Sequence, residues 1–103
     1  MPRVLKSTDA EQDLLAIYLY VGREDRSPEG AERLLRAIDE KCKLYAANPL
    51  LGTERPDLGE NLRISPCGTK SNPHEWVVIY RPIDDGIEIV RVFRGSRDFP
   101  RLF

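Results

Sequence analysis

One histidine, one tryptophan, one methionine and two cysteines occur among the 103 residues, and each scarcity removes a class of chemistry. Cys42 and Cys67 form no CxxC pair and no cluster with His74, so the ligand spacing of a zinc site is missing. No metal and no cofactor are expected. Two isolated thiols read as reduced packing residues rather than a disulfide. The seven glycines are scattered, which excludes a phosphate-cradling glycine loop. No run approaches the ~18 apolar residues of a membrane span, and the first residues lack a signal-peptide stretch, so a cytoplasmic protein without membrane contact is expected. Charge of one sign is also lacking: 16 Lys+Arg against 17 Asp+Glu leave a net charge of −1. That balance argues against a general polyanion binder and against direct, sequence-specific nucleic-acid binding by the chain alone.

What is present suits one folded domain over residues 1–103, with 41% hydrophobic and 32% charged residues. A chain of this length buries roughly 60–70% of the surface its unfolded form exposes, enough for one core. Pro2 to Ser7 reads as an edge strand. Thr8-Asp9-Ala10-Glu11 reads as a capping box, with Thr8 as cap. Ala10, Leu14, Ile17, Tyr18 and Val21 then recur at helical spacing, which predicts a helix over roughly 9–24. Leu15 and Leu19 form a second apolar stripe on a neighbouring face, more apolar surface than a helix on one sheet needs. Two uses are open to it: packing on the next helix, or receiving a partner.

Ser27-Pro28 starts a second helix, with Ser27 as cap and Pro28 in the first turn. Its stripe runs through Ala31, Leu34, Leu35, Ile38, Cys42 and Leu44 or Tyr45, and Asn48-Pro49 stops it. The short gap between the helices makes them an antiparallel hairpin. Residues 49–60 read as loop. The period then switches to two: Asn61 to Ser65 alternates, with Leu62 and Ile64 on one face and Arg63 on the other. Glu75 to Arg81 is apolar on both faces, as a central strand is, and Asp84-Asp85-Gly86 turns it back into a strand over Ile87 to Phe93. His74 reads as lying in a loop at the entry to the central strand. The predicted class is α+β: an N-terminal strand, then an antiparallel helical hairpin packed on an antiparallel sheet.

Few residues point to catalysis. His74 falls in the predicted loop, with no nucleophile implied beside it, and reads as a surface histidine. Asp84 and Asp85 are explained by their turn. Arg63, Arg81 and Arg91 lie on neighbouring strands, where one shared face would make a basic patch. At the C-terminal end Arg94, Arg97 and Arg101 interleave with Phe99 and Phe103, a composition that grips phosphates, stacks on bases or docks on a protein.

The ordered set of elements and residues resembles the RelE/ParE superfamily of bacterial type II toxin–antitoxin toxins. The matching stretches are Ala10 to Leu14 with Ile17 and Tyr20, Ala46-Ala47-Asn48-Pro49 with Gly52, Asn61-Leu62-Arg63, Val77 to Arg81, and Ile87 to Asp98. The resemblance implies the helix-hairpin-on-sheet fold and one of two activities. RelE-type members cut mRNA in the ribosome; here that implies Arg63, Tyr80, Arg81 and Arg91 as the catalytic set. ParE-type members poison DNA gyrase without known nuclease chemistry; that implies no catalytic residues and target contact through Arg94, Arg97, Phe99, Arg101 and Phe103. A net charge of −1, and Arg94 where many members carry histidine, favour the ParE-like branch. A third possibility is an inactive member kept as a binding module. The resemblance also implies a small ParD-like antitoxin, with Leu15 and Leu19 as its docking stripe. Against the family, Pro66 to His74 is longer than the usual tight turn and looks like an insertion, a tolerated surface loop.

Overall fold

Among the residues that this computed structural model describes, 2–24 and 28–95, the order is β1 (Arg3–Lys6), α1 (Thr8–Glu24), α2 (Pro28–Ala47), β2 (Thr53–Glu54), β3 (Arg63–Thr69), β4 (Asn72–Ile83) and β5 (Gly86–Arg94). The strands form one sheet in the order β1-β5-β4-β3-β2. β3, β4 and β5 are antiparallel, as expected, but β1 joins β5 in parallel, pairing Arg3 with Gly86 and Lys6 with Ile89. The sheet is therefore mixed. A parallel first strand follows from the connection: the two helices carry the chain across one face of the sheet between β1 and the later strands.

Both helices lie on one face. Ala10 and Ile17 of α1 and Ala31, Leu34, Ile38, Cys42 and Tyr45 of α2 bury against Cys67, Trp76, Val78, Tyr80, Ile87, Ile89 and Val92. The period-two alternation sends Val77, Ile79 and Phe93 to the opposite face, where Leu58 and Leu62 of the β2–β3 connection cover them. The sheet thus has a second, smaller core, and its outer face is apolar.

Several sequence expectations are corrected. Ser7, not Thr8, caps α1: its hydroxyl oxygen accepts the Ala10 amide at 3.0 Å, and its carbonyl accepts Glu11 N–H at 3.0 Å. The Ser7 hydroxyl in turn donates to the Val90 carbonyl at 2.7 Å, which ties the cap to β5. Ser27 lies outside the described residues. The 49–60 segment contains the short strand β2, paired to Arg63 and Ile64. Pro66 to His74 is not an inserted loop. β3 and β4 run through it and turn at Lys70 and Ser71, with Pro66 opposite Val77 and Cys67 opposite Trp76. Two prolines and Gly68 disguised a hairpin. Pro66 fits because β2 pairs β3 only at Arg63 and Ile64, and Pro73 because the β4–β5 ladder reaches only to Trp76 opposite Arg94 among the described residues. His74 consequently sits exposed on a strand. At the other hairpin Gly86 is required, because a Cβ there would meet the Arg3 backbone.

Burial pushes the thiols of Cys42 and Cys67 up from 9.0 to about 12. A raised value in the folded state means stability that is complete below the unfolded thiol's range and is lost as pH climbs towards about 12. Neither thiol should react with an alkylating reagent in the native protein at pH ~8, while both react in urea. The urea midpoint should fall with rising pH over that alkaline window, and less so in Cys42→Ala/Cys67→Ala. Rapid native labelling would contradict the burial.

Candidate functional site

Strand register decides which of the chemically capable side chains can meet. Arg63 stands opposite Tyr80 on the helix-side face, whereas Arg81, one residue on, points to the outer face opposite Glu88. Arg91 pairs with Ile79 and shares that outer face. The three arginines do not form the single patch suggested by their strands. Each is also engaged locally.

Arg63 and Tyr80 hold the turn that follows α2. The Arg63 guanidinium donates to the carbonyls of Leu50 at 3.0 Å and Gly52 at 2.8 Å, and pairs with Glu54 at 2.9 Å. The Tyr80 hydroxyl accepts the Gly52 amide at 2.8 Å and donates to the Pro49 carbonyl at 2.8 Å. Burial pushes the Tyr80 hydroxyl above its usual range, partly offset by the Gly52 amide and the Arg63 charge. Its proton is committed, and its ring packs on Tyr45 at a centroid distance of 5.4 Å. Gly52 admits this approach, since a Cβ there would clash with the Tyr80 hydroxyl oxygen.

Arg91 joins α1 to β5. β1 ends opposite Ile89, Val90 is left without a partner in the β4–β5 ladder, and the ladder resumes with Arg91 opposite Ile79. Beyond this bulge Asp13 takes up the edge. It accepts Arg91 Nε at 2.8 Å and Nη2 at 3.1 Å, and the Val92 amide at 2.9 Å. The guanidinium lies 4.4 Å from the centre of the Phe93 ring. Arg81 pairs with Glu88 at 2.8 Å on the surface.

Arg94 is different. It faces Trp76 across the β4–β5 ladder, with its guanidinium 5.1 Å from the Tyr20 ring centre and 5.2 Å from that of Trp76, and a carboxylate oxygen of Glu75 at 3.2 Å. Between α1 and β5 these side chains border an open groove of about 400 Å³ with Ala16, Ile17 and Val92 in its wall. On the outer surface of α1, Leu15 is 60% and Leu19 55% exposed, so neither packs into the core. Arg97, Phe99, Arg101 and Phe103 lie outside the described residues. No group of three or more potential metal ligands gathers among the described residues.

The family model described as the ParE toxin of the type II toxin–antitoxin system, parDE, matches residues 4–99. This chain belongs to the ParE toxin family. Among solved structures it is similar to a chain of the chromosomal ParDE toxin–antitoxin system from P. aeruginosa, with 22% identity over 93% of this chain and 98% of that one and a TM-score of 0.71. That likeness shows a shared fold. Against curated protein sequences the chain has no match.

Within this ParE-family fold, sequence reasoning missed Asp13, Tyr20 and Trp76 as partners of the arginines. Asp13 and Tyr20 fell within a family-like stretch, but nothing in their spacing told which strand residue they would meet. The pairing across α1 and β5 joins positions 78 apart in the chain. Replacing Asp13 by alanine leaves a half-buried guanidinium and the Val92 amide without their acceptor, and should cost about 2–3 kcal/mol. Chemical denaturation checks this; a change below ~0.5 kcal/mol would show that the pair contributes little.

Proposed function

We propose that this ParE-family toxin acts by docking on a protein target, DNA gyrase, rather than by cutting RNA, and that a small ParD-like antitoxin silences it. The observation that carries this reading is the fate of Arg63, Tyr80, Arg81 and Arg91. Cleavage by a ribose 2′-hydroxyl needs a base, an acid and cations gathered around one phosphate. Here Arg63 and Tyr80 share one face of the sheet, and Arg81 and Arg91 the other. Three carboxylates, of Glu54, Glu88 and Asp13, answer the three guanidiniums. Arg81 and Glu88 stay at the surface of the outer face, whose middle is filled by Val77, Ile79 and Phe93 with Leu58 and Leu62. The net charge of −1 adds little attraction for a ribosome.

For the target, the reading assigns contact to Arg94 and, beyond the described residues, to Arg97, Phe99, Arg101 and Phe103. Arg94 supports this by its position: it ends β5, its guanidinium close to the Tyr20 and Trp76 rings beside the open groove. For the antitoxin it assigns Leu15 and Leu19, whose exposure on α1 suits an amphipathic helix laid across them.

Induction in a bacterial host without antitoxin tests the function. Broken DNA and a DNA-damage response are expected while translation continues, and purified protein should inhibit supercoiling by gyrase. Arrested translation with cleaved mRNA and intact DNA would contradict the reading.

A further inference from the structure

The outward side of α1 carries more apolar surface than the fold uses. Leu15, Leu19 and Tyr20 are all well exposed, and so is Ala16 between them. Leu15 and Leu19 fall on one helical ridge, Ala16 and Tyr20 on the next, so the four make a single patch in the middle of the helix. Ala10 and Ile17, which bury into the core, lie on the opposite side. The patch therefore faces away from the sheet.

The two ends of this face carry opposite charge. Asp9 and Glu11 stand in the first turn of α1 and Arg23 in the last, all exposed. Among the described residues neither Asp9 nor Arg23 is held in an ion pair. Asp9, Ala16 and Arg23 are spaced a heptad apart, close to two whole turns, so both charges sit on the side of the patch. A half-turn about an axis through Ala16 sets Asp9 of one helix opposite Arg23 of another, twice, and lays leucine on leucine between them. The small Ala16 at the crossing lets the axes approach closely, and a shallow antiparallel crossing of about 20° keeps both ends in reach. That is the self-complementary pattern a twofold contact requires. A nucleic acid or an anionic membrane would meet repelling charge at the Asp9 end. We infer that, free of antitoxin, this chain pairs with a second copy of itself through antiparallel α1 helices, with Leu15 and Leu19 at the centre and Asp9–Arg23 ion pairs at both ends. The inference needs no assumption about the toxin's target. It makes self-association and antitoxin binding alternatives, because both use the same two leucines.

Sedimentation equilibrium of the full chain, purified without antitoxin, tests the pairing. The average mass should climb from 11.8 kDa towards twice that value as concentration rises from the micromolar to the millimolar range, as for a small transient interface. Leu15→Ser/Leu19→Ser should raise the dimer dissociation constant about tenfold or more, with circular dichroism showing the monomer still folded. Asp9→Lys and Arg23→Glu should each weaken association about threefold when studied alone. An equimolar mixture of those two variants should associate as tightly as the wild-type chain, since both end pairs of the mixed dimer are then of opposite sign. A monomer at every concentration would overturn the proposal and leave the face to the antitoxin. A dimer indifferent to the leucine change would overturn it too, and a mixture no tighter than its separate components would overturn the antiparallel arrangement.

Discussion

A buried phenol and a guanidinium, opposite one another on β3 and β4, hold the chain where the helical layer gives way to the sheet. After α2 the backbone must leave its helix, pass the sheet and return as β2, exposing polar groups with no regular partner. Tyr80 and Arg63 supply those partners. A main-chain group buried without a partner costs about 1–3 kcal/mol, so the turn, the β2 pairing and the loop that carries Leu58 over the outer face all depend on this clamp. Gly52 is part of the same constraint, because only a residue without Cβ lets the phenol come so close.

A parallel arrangement operates at the other side of the sheet. β1 is too short to cover β5, and where it stops, Ser7 and Asp13 of the following chain bond to the exposed edge. One serine serves both as helix cap and as an anchor for the bulged strand. The start of α1 is thereby placed against β5, which positions Tyr20 over Arg94 and leaves Leu15 and Leu19 facing outward. Polar side chains that might be read as reactive groups are here the ties between layers.

Much of this was legible in the sequence. The helical stripes, the strand pair around Asp84-Asp85 and the α+β class follow from periodicity, because burial on one face imposes it. Helix starts were harder: Ser7 and Thr8 are equally good caps in isolation, and the choice falls to Ser7, which also meets β5. The β3–β4 hairpin was hidden by Pro66, Gly68 and Pro73, which local rules read as loop and an open sheet edge tolerates. The arginines could be assigned to strands but not to one site, since pairing register sets the face of each and a shift by one residue reverses it. The roles of Arg63 and Tyr80 required the fold, because the carbonyls and amide they bind lie on a loop with no periodic signal.

The near-neutral charge acquires a physical meaning in this frame. Cations are present in ordinary number, but Arg63, Arg81 and Arg91 face carboxylates or carbonyls, and their work is structural. The central claim is that Arg63 and Tyr80 act together on one segment of backbone. A double-mutant cycle with Arg63→Gln and Tyr80→Phe, read by chemical denaturation, tests this most directly. The expected result is that each substitution destabilises the fold and that the two couple by about 1 kcal/mol. Strict additivity, or two variants as stable as the wild-type chain, would contradict the account.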